Sequence, residues 1–167
     1  MIAQALLSEF EREAATTRRF LERLPADKLT WKPHEKSMTA GQLALHIAGT
    51  PGGVLSMSLP DAHEVPDFSN GHPQPQSIDE VLKAHDESVA AVQKILPTID
   101  DEKLRKTFTV TAGGKPVMAL PRVGFLRMIM LNHWIHHRGQ FGVHLRLLGA
   151  KVPSSYGPSG DEMPSFD

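Results

Sequence analysis

The chain has no cysteine in its 167 residues. That absence rules out disulfides, a thiolate zinc site and a cysteine nucleophile. Any thiol chemistry would need a thiol brought in from outside. Long uncharged apolar runs are missing too, and none approaches the ~18–20 residues of a membrane span. The first residues bring in acids by Glu9 and Glu11, too early for a secretory h-region. A cytoplasmic location is the expectation. There is no basic block longer than two residues, and 18 Lys and Arg against 19 Asp and Glu leave a net charge of −1. This is a poor electrostatic footprint for nucleic acid or anionic lipid. The length suits one domain, residues 1–167, with a real core.

What the chain does have is nine histidines, unevenly placed. His133 and His137 lie four apart in an apolar stretch of helical pattern, a spacing that stacks two side chains on one helix face. Two imidazoles one turn apart can share a divalent ion. His136, three residues from His133, has a usable spacing as well, and periodicity does not separate the two because this segment is apolar on most sides. His46 lies far upstream in a second helical pattern, between Leu45 and Ile47. Packed together, these helices would bring three neutral nitrogens to one point and leave coordination positions open, as in a reactive rather than a structural metal centre. Zinc suits a three-nitrogen site best, and nickel, iron and manganese also suit it. No glutamate stands between His133 and His137, unlike the glutamate-containing metalloprotease motif.

The pattern predicts four helices. The first runs from Ile2 to Leu24 and is stopped by Pro25; the second is capped by Thr39 or Ser37, runs to about Met57, and is distorted at Pro51-Gly52-Gly53. A polar stretch from Pro60 to Gln76 has no sustained period and reads as a connection. Ser77 with Glu80 forms a capping-box pattern ahead of a third helix that ends at Pro97. Thr107 to Ala112, a Gly113-Gly114 turn and residues 115–119 suggest a small hairpin. The last helix starts near Pro121 and runs to about Leu148. The expected architecture is therefore all-α, a four-helix bundle with a possible hairpin between helices three and four.

Trp31-Lys32-Pro33, Leu45-His46-Ile47, residues 133–140 (His-Trp-Ile-His-His-Arg-Gly-Gln) and the tail from Val152 to Ser159 together resemble the DinB family of DinB/YfiT-like metalloenzymes. The resemblance covers nearly the whole chain. It implies an up-down-down-up bundle, often a homodimer, and a divalent-metal site carried by His46, His133 and His137, with His136 left as a surface or dimer-face residue. It also implies transfer of low-molecular-weight thiols or hydrolysis of small substrates. The expected function is thus a metal-dependent thiol S-transferase or hydrolase acting on a small molecule. The competing expectation is a non-catalytic metal- or ligand-binding protein of a stress response.

The remaining candidates have plainer readings. Gln140, one turn beyond His137, is expected to line the pocket or support a ligand. Arg138 is expected to be a solvated or inter-subunit charge, and Gly139 to permit close helix packing. Met128 and Met130 read as core. His63 and His72 are expected to be solvated loop residues, and His34, His85 and His144 likewise.

Overall fold

The computed structural model describes residues 1–67 and 69–164. Helix α1 spans Ile2–Leu21, α2 Ala40–Met57, α3 Ile78–Ile95 and the short α4 Asp101–Arg105. The last helix is continuous but built in three parts: α5 Arg122–Phe125, a π-helical segment Leu126–His133, and α6 Trp134–Leu147. Strands β1 Ala62–Glu64, β2 Thr107–Ala112 and β3 Lys115–Pro121 form one sheet in the order β1-β2-β3.

The sheet corrects the all-α four-helix-bundle expectation. The hairpin is present, with β2 antiparallel to β3, and it recruits a third, parallel strand from the segment that read as a connection. Alternation in β2 buries Phe108 and Val110 beneath the sheet. β1 is only Ala-His-Glu and has no apolar face of its own, so its position is fixed by the backbone. Thr109 N–H donates to Asp61 O at 2.9 Å and Val65 N–H to Thr111 O at 2.7 Å. The Glu64 carboxylate also accepts the Thr111 hydroxyl and the Gly113 N–H, tying β1 to the hairpin turn. Gly113 and Gly114 both have positive φ there, where L side chains are strained.

Helix ends follow local chemistry. Thr39 caps α2 in a reciprocal box: its hydroxyl accepts from Gln42 N–H, and Gln42 Oε1 accepts from Thr39 N–H. Ser77 caps α3 by accepting from Glu80 N–H, but the Glu80 carboxylate reaches Gln76 N–H rather than closing a box on Ser77.

Helix α2 carries the instructive irregularity. Pro51 lies inside it and has no N–H, so the carbonyl of Ile47 loses its intrahelical donor. The buried indole of Trp134 supplies the replacement, Nε1 to Ile47 O at 2.8 Å. One residue on, Gly52 N–H donates to Ser88 Oγ at 2.8 Å, and a Cβ at Gly52 would lie 3.0 Å from the Ser88 Cα. Only glycine lets α2 and α3 approach so closely. The proline defect is thus filled from the last helix on one side and from α3 on the other. Around these contacts a single apolar core runs from Phe10 and Leu43 to Leu126, Trp134 and Phe141, with Phe10 stacked on Trp134 at 5.3 Å. Among the described residues, no helix is long and apolar enough to cross a membrane.

Candidate metal centre

The Trp134–Ile47 bond joins residues adjacent to His133 and His46, so it sets the register in which those two histidines meet. Their Nε2 atoms lie 3.2 Å apart with the rings nearly perpendicular. His137, one turn further along α6, brings its ring to 4.8 Å from that of His46 and 4.4 Å from that of His133. One nitrogen from each of His46, His133 and His137 falls within 4.8 Å of the others, so the group could hold a metal ion. Two imidazole nitrogens ~2.1 Å from a shared ion are roughly 3.0–3.4 Å apart in tetrahedral or octahedral geometry. The His46–His133 separation lies in that interval.

Electrostatics and tautomer agree with this use. Metal ligation needs neutral imidazoles. Burial, with the neighbouring His137, His133 and His72, pushes the pKa of His46 down from 6.5 to about 4. Burial likewise lowers His133 and His137. Gln140 Oε1 sits 2.8 Å from His137 Nδ1. A carbonyl oxygen accepts only, so His137 carries its proton on Nδ1 and keeps the Nε2 lone pair available. Gln140 therefore bonds His137 directly but lines neither of the clefts beside it. His136 is exposed, with its ring 5.1 Å from that of His137, and stays outside the cluster.

The π-helical segment ending at His133 was not anticipated. Such segments are often found at functional sites because they re-aim the side chains that follow. Nothing in Leu-Arg-Met-Ile-Met-Leu-Asn-His distinguishes it from ordinary helix by composition.

Two adjoining clefts open at the histidines. The inner one, about 520 Å³, contains all three together with Met38, Ile129 and Met57. The outer one, about 610 Å³, runs along α2 past Leu45, Gly49 and Gly53. His46, Thr50, Val54, Met57, Pro66 and His72 belong to both.

His72 corrects the expectation of a solvated loop residue, since its ring is 5.6 Å from that of His46. The same side chains that cap α2 hold its loop: Gln42 Nε2 donates to His72 O at 2.8 Å, and the Thr39 hydroxyl donates to Gln74 Oε1 at 2.7 Å. His63, on β1, lines the outer cleft. Sequence offered no signal for either, because the loop has no periodicity and its anchors lie 30 or more residues away.

Elsewhere, several readings change. His85 and His144 are buried rather than solvated, and burial lowers the pKa of both. His144 meets the edge of Trp31 at 5.6 Å. Arg138 is no solvated charge. It is 3 % exposed, pairs with Glu13 Oε2 at 2.6 Å and lies 5.6 Å from the Tyr156 ring centroid. Gly139 does not serve close packing, as a Cβ there would meet nothing within 4 Å. Gly142 does, since a Cβ there would lie 3.2 Å from the Phe20 ring.

The DinB family model matches residues 1–164, with the three histidines inside the matched span. The chain belongs to the DinB family. Two Bacillus subtilis (strain 168) proteins described as uncharacterized are related to this DinB chain at 27 % identity. YrdA aligns over 161 residues, 96 % of this chain and 91 % of its own length, and YjoA over 146 residues, 86 % and 89 %. A solved DinB-like protein from Bacillus cereus ATCC 10987 superposes with a TM-score of 0.72 at 25 % identity, covering 92 % of this chain and 97 % of its own. The crystal structure of YjoA, also DinB-like, has a TM-score of 0.67 at 23 % identity and covers 91 % and 96 %, so it shares the fold.

Proposed function

We propose that this DinB-family protein holds one divalent ion, zinc or nickel, through His46, His133 and His137, and is a metal-dependent enzyme acting on a small molecule. The observation that carries the reading is the convergence of three imidazoles, His46 lying 87 residues before His133 in sequence, at the junction of two apolar clefts. When bound, the ion would supply concentrated positive charge able to stabilise an anionic group such as a thiolate or a water-derived nucleophile.

The chain's own residues prepare the site. Burial keeps His46 unprotonated at neutral pH, Gln140 holds the His137 tautomer, and Trp134 fixes the spacing of the two helices. The largely apolar walls lower the local polarity beside the histidines, which strengthens electrostatic interactions there. Among the described residues lining either cleft there is no Asp or Glu, so a hydrolytic base would have to be an imidazole. This favours transfer of an external low-molecular-weight thiol over hydrolysis. The same lack of a carboxylate favours, as a second reading, a protein that binds metal or ligand without turnover.

The test is thiol consumption by zinc- or nickel-loaded protein with a panel of small thiols and electrophiles, beside hydrolysis of neutral esters. Turnover that is lost in His137→Ala and on chelation supports an enzyme. Full metal loading with no turnover across the panel supports the binding protein.

A further inference from the structure

Gly49 and Gly53 stand one turn apart on the exposed side of α2 and line the outer cleft. Neither has the positive φ that would require glycine, and a Cβ at either would meet nothing within 4 Å. Each mid-helix glycine costs about 1 kcal/mol relative to alanine. Gly52, between them, returns that cost by letting α3 approach; Gly49 and Gly53 return nothing to the fold. What they provide is a bare backbone floor.

The rest of the cleft constrains what can lie on that floor. Among its described lining residues there is no Asp, Glu, Lys or Arg, and its walls are largely hydrocarbon, from Leu45, Val54 and Met57. Its polar side chains are Gln42, Thr50, Ser56 and three histidines, so a charged group placed there would lose water without meeting a carboxylate, ammonium or guanidinium of opposite charge. The volume of about 610 Å³ is that of an ordinary small-molecule site. At its inner end the cleft reaches His46, which it shares with the histidine cluster.

We infer that the outer cleft holds an uncharged, apolar limb of the small molecule whose reacting end lies at His46, and that Gly49 and Gly53 determine the shape of that limb. This rests on the proposed reading that the histidine cluster is where the molecule reacts.

A matched pair of probes tests it: methyl 2-naphthoate, uncharged, and 2-naphthoate, its anion at pH 7.5. Both are titrated against the metal-free full-length chain, with naphthalene fluorescence as the readout. The ester is expected to bind at least tenfold more tightly than the carboxylate. Gly53→Leu fills the floor and is expected to weaken the ester at least tenfold, and Gly49→Leu to do the same. Both variants should keep the parent far-UV dichroism, since leucine is the better helix former. Ester affinity within twofold of the parent in both variants, a carboxylate that binds as tightly as the ester, or no ester binding at millimolar concentration would each overturn the inference. Zinc uptake is measured separately on the same proteins. A parent that binds the ester as expected but takes up no zinc leaves the cleft assignment standing and removes the metal reading alone.

Discussion

Replacing Trp134 by Phe keeps an aromatic ring in the core but deletes the N–H that occupies the Ile47 carbonyl. Pro51 offers that carbonyl no alternative donor, so the substitution leaves a buried acceptor unpaired, at a cost of about 1–3 kcal/mol. The smaller ring adds about 1 kcal/mol for the lost volume beside Phe10. The expected total is roughly 2–4 kcal/mol, read as a fall in the urea midpoint at unchanged slope. Far-UV dichroism is the appropriate signal, because the change removes one of two tryptophans. The decisive comparison uses Pro51→Ala as background. Residue 51 then has an N–H aimed at Ile47 O, as in any regular helix. Trp134→Phe should now cost only its packing part, about 1 kcal/mol, leaving a coupling of about 1–3 kcal/mol between positions 51 and 134. Equal costs in the two backgrounds would refute the account of how α2 and the last helix are registered, and with it the reason His46 meets His133.

Three further outcomes follow from other parts of the structure. Metal-free protein should lose stability as pH falls from about 6.5 towards about 4, because the unfolded chain takes up a proton on His46 that the fold resists. After discounting for its partial exposure the loss is about 1 kcal/mol. A His46→Gln variant should show a shallower fall of the urea midpoint between pH 6.5 and 5, and a parallel fall would rule out His46 as the source. Gly52→Ala pushes a methyl group against the Ser88 backbone and is expected to destabilise by about 1–3 kcal/mol, measured by chemical unfolding; a neutral effect would mean that α2 and α3 are not so closely packed. Glu13→Ala strands the buried Arg138 and should cost about 3–5 kcal/mol, with the melting temperature as readout, whereas a loss below 1 kcal/mol would place that pair in solvent.

The pattern of what could be read from sequence has a physical basis. His133 and His137 were legible because four-residue spacing on a helix is local geometry, and His46 because a histidine amid Leu45, Ile47 and small residues demands a partner. Thr39 and Ser77 were legible as caps because a cap is made by residues three apart. The burial of His85, His144 and Arg138 depends on which distant element covers them, and no local pattern encodes that. β1 escaped because three residues held by backbone bonds need no apolar face. Pro51 was visible as a distortion, but its meaning lay in Trp134, 83 positions later. Between His136 and His137 spacing alone could not choose. The structure turns His137 towards His46 and leaves His136 exposed.

His46, His133 and His137 are proposed to hold one divalent ion together. Titration calorimetry of zinc into the metal-free, tag-free chain addresses it directly, beside His46→Ala, His133→Ala, His137→Ala and, as control, His136→Ala. The expected result is one ion per chain in the parent and in His136→Ala, with affinity lowered at least a hundredfold in each of the other three variants. A parent that takes up no zinc, or a His46→Ala variant that binds it as tightly as the parent, would contradict the account.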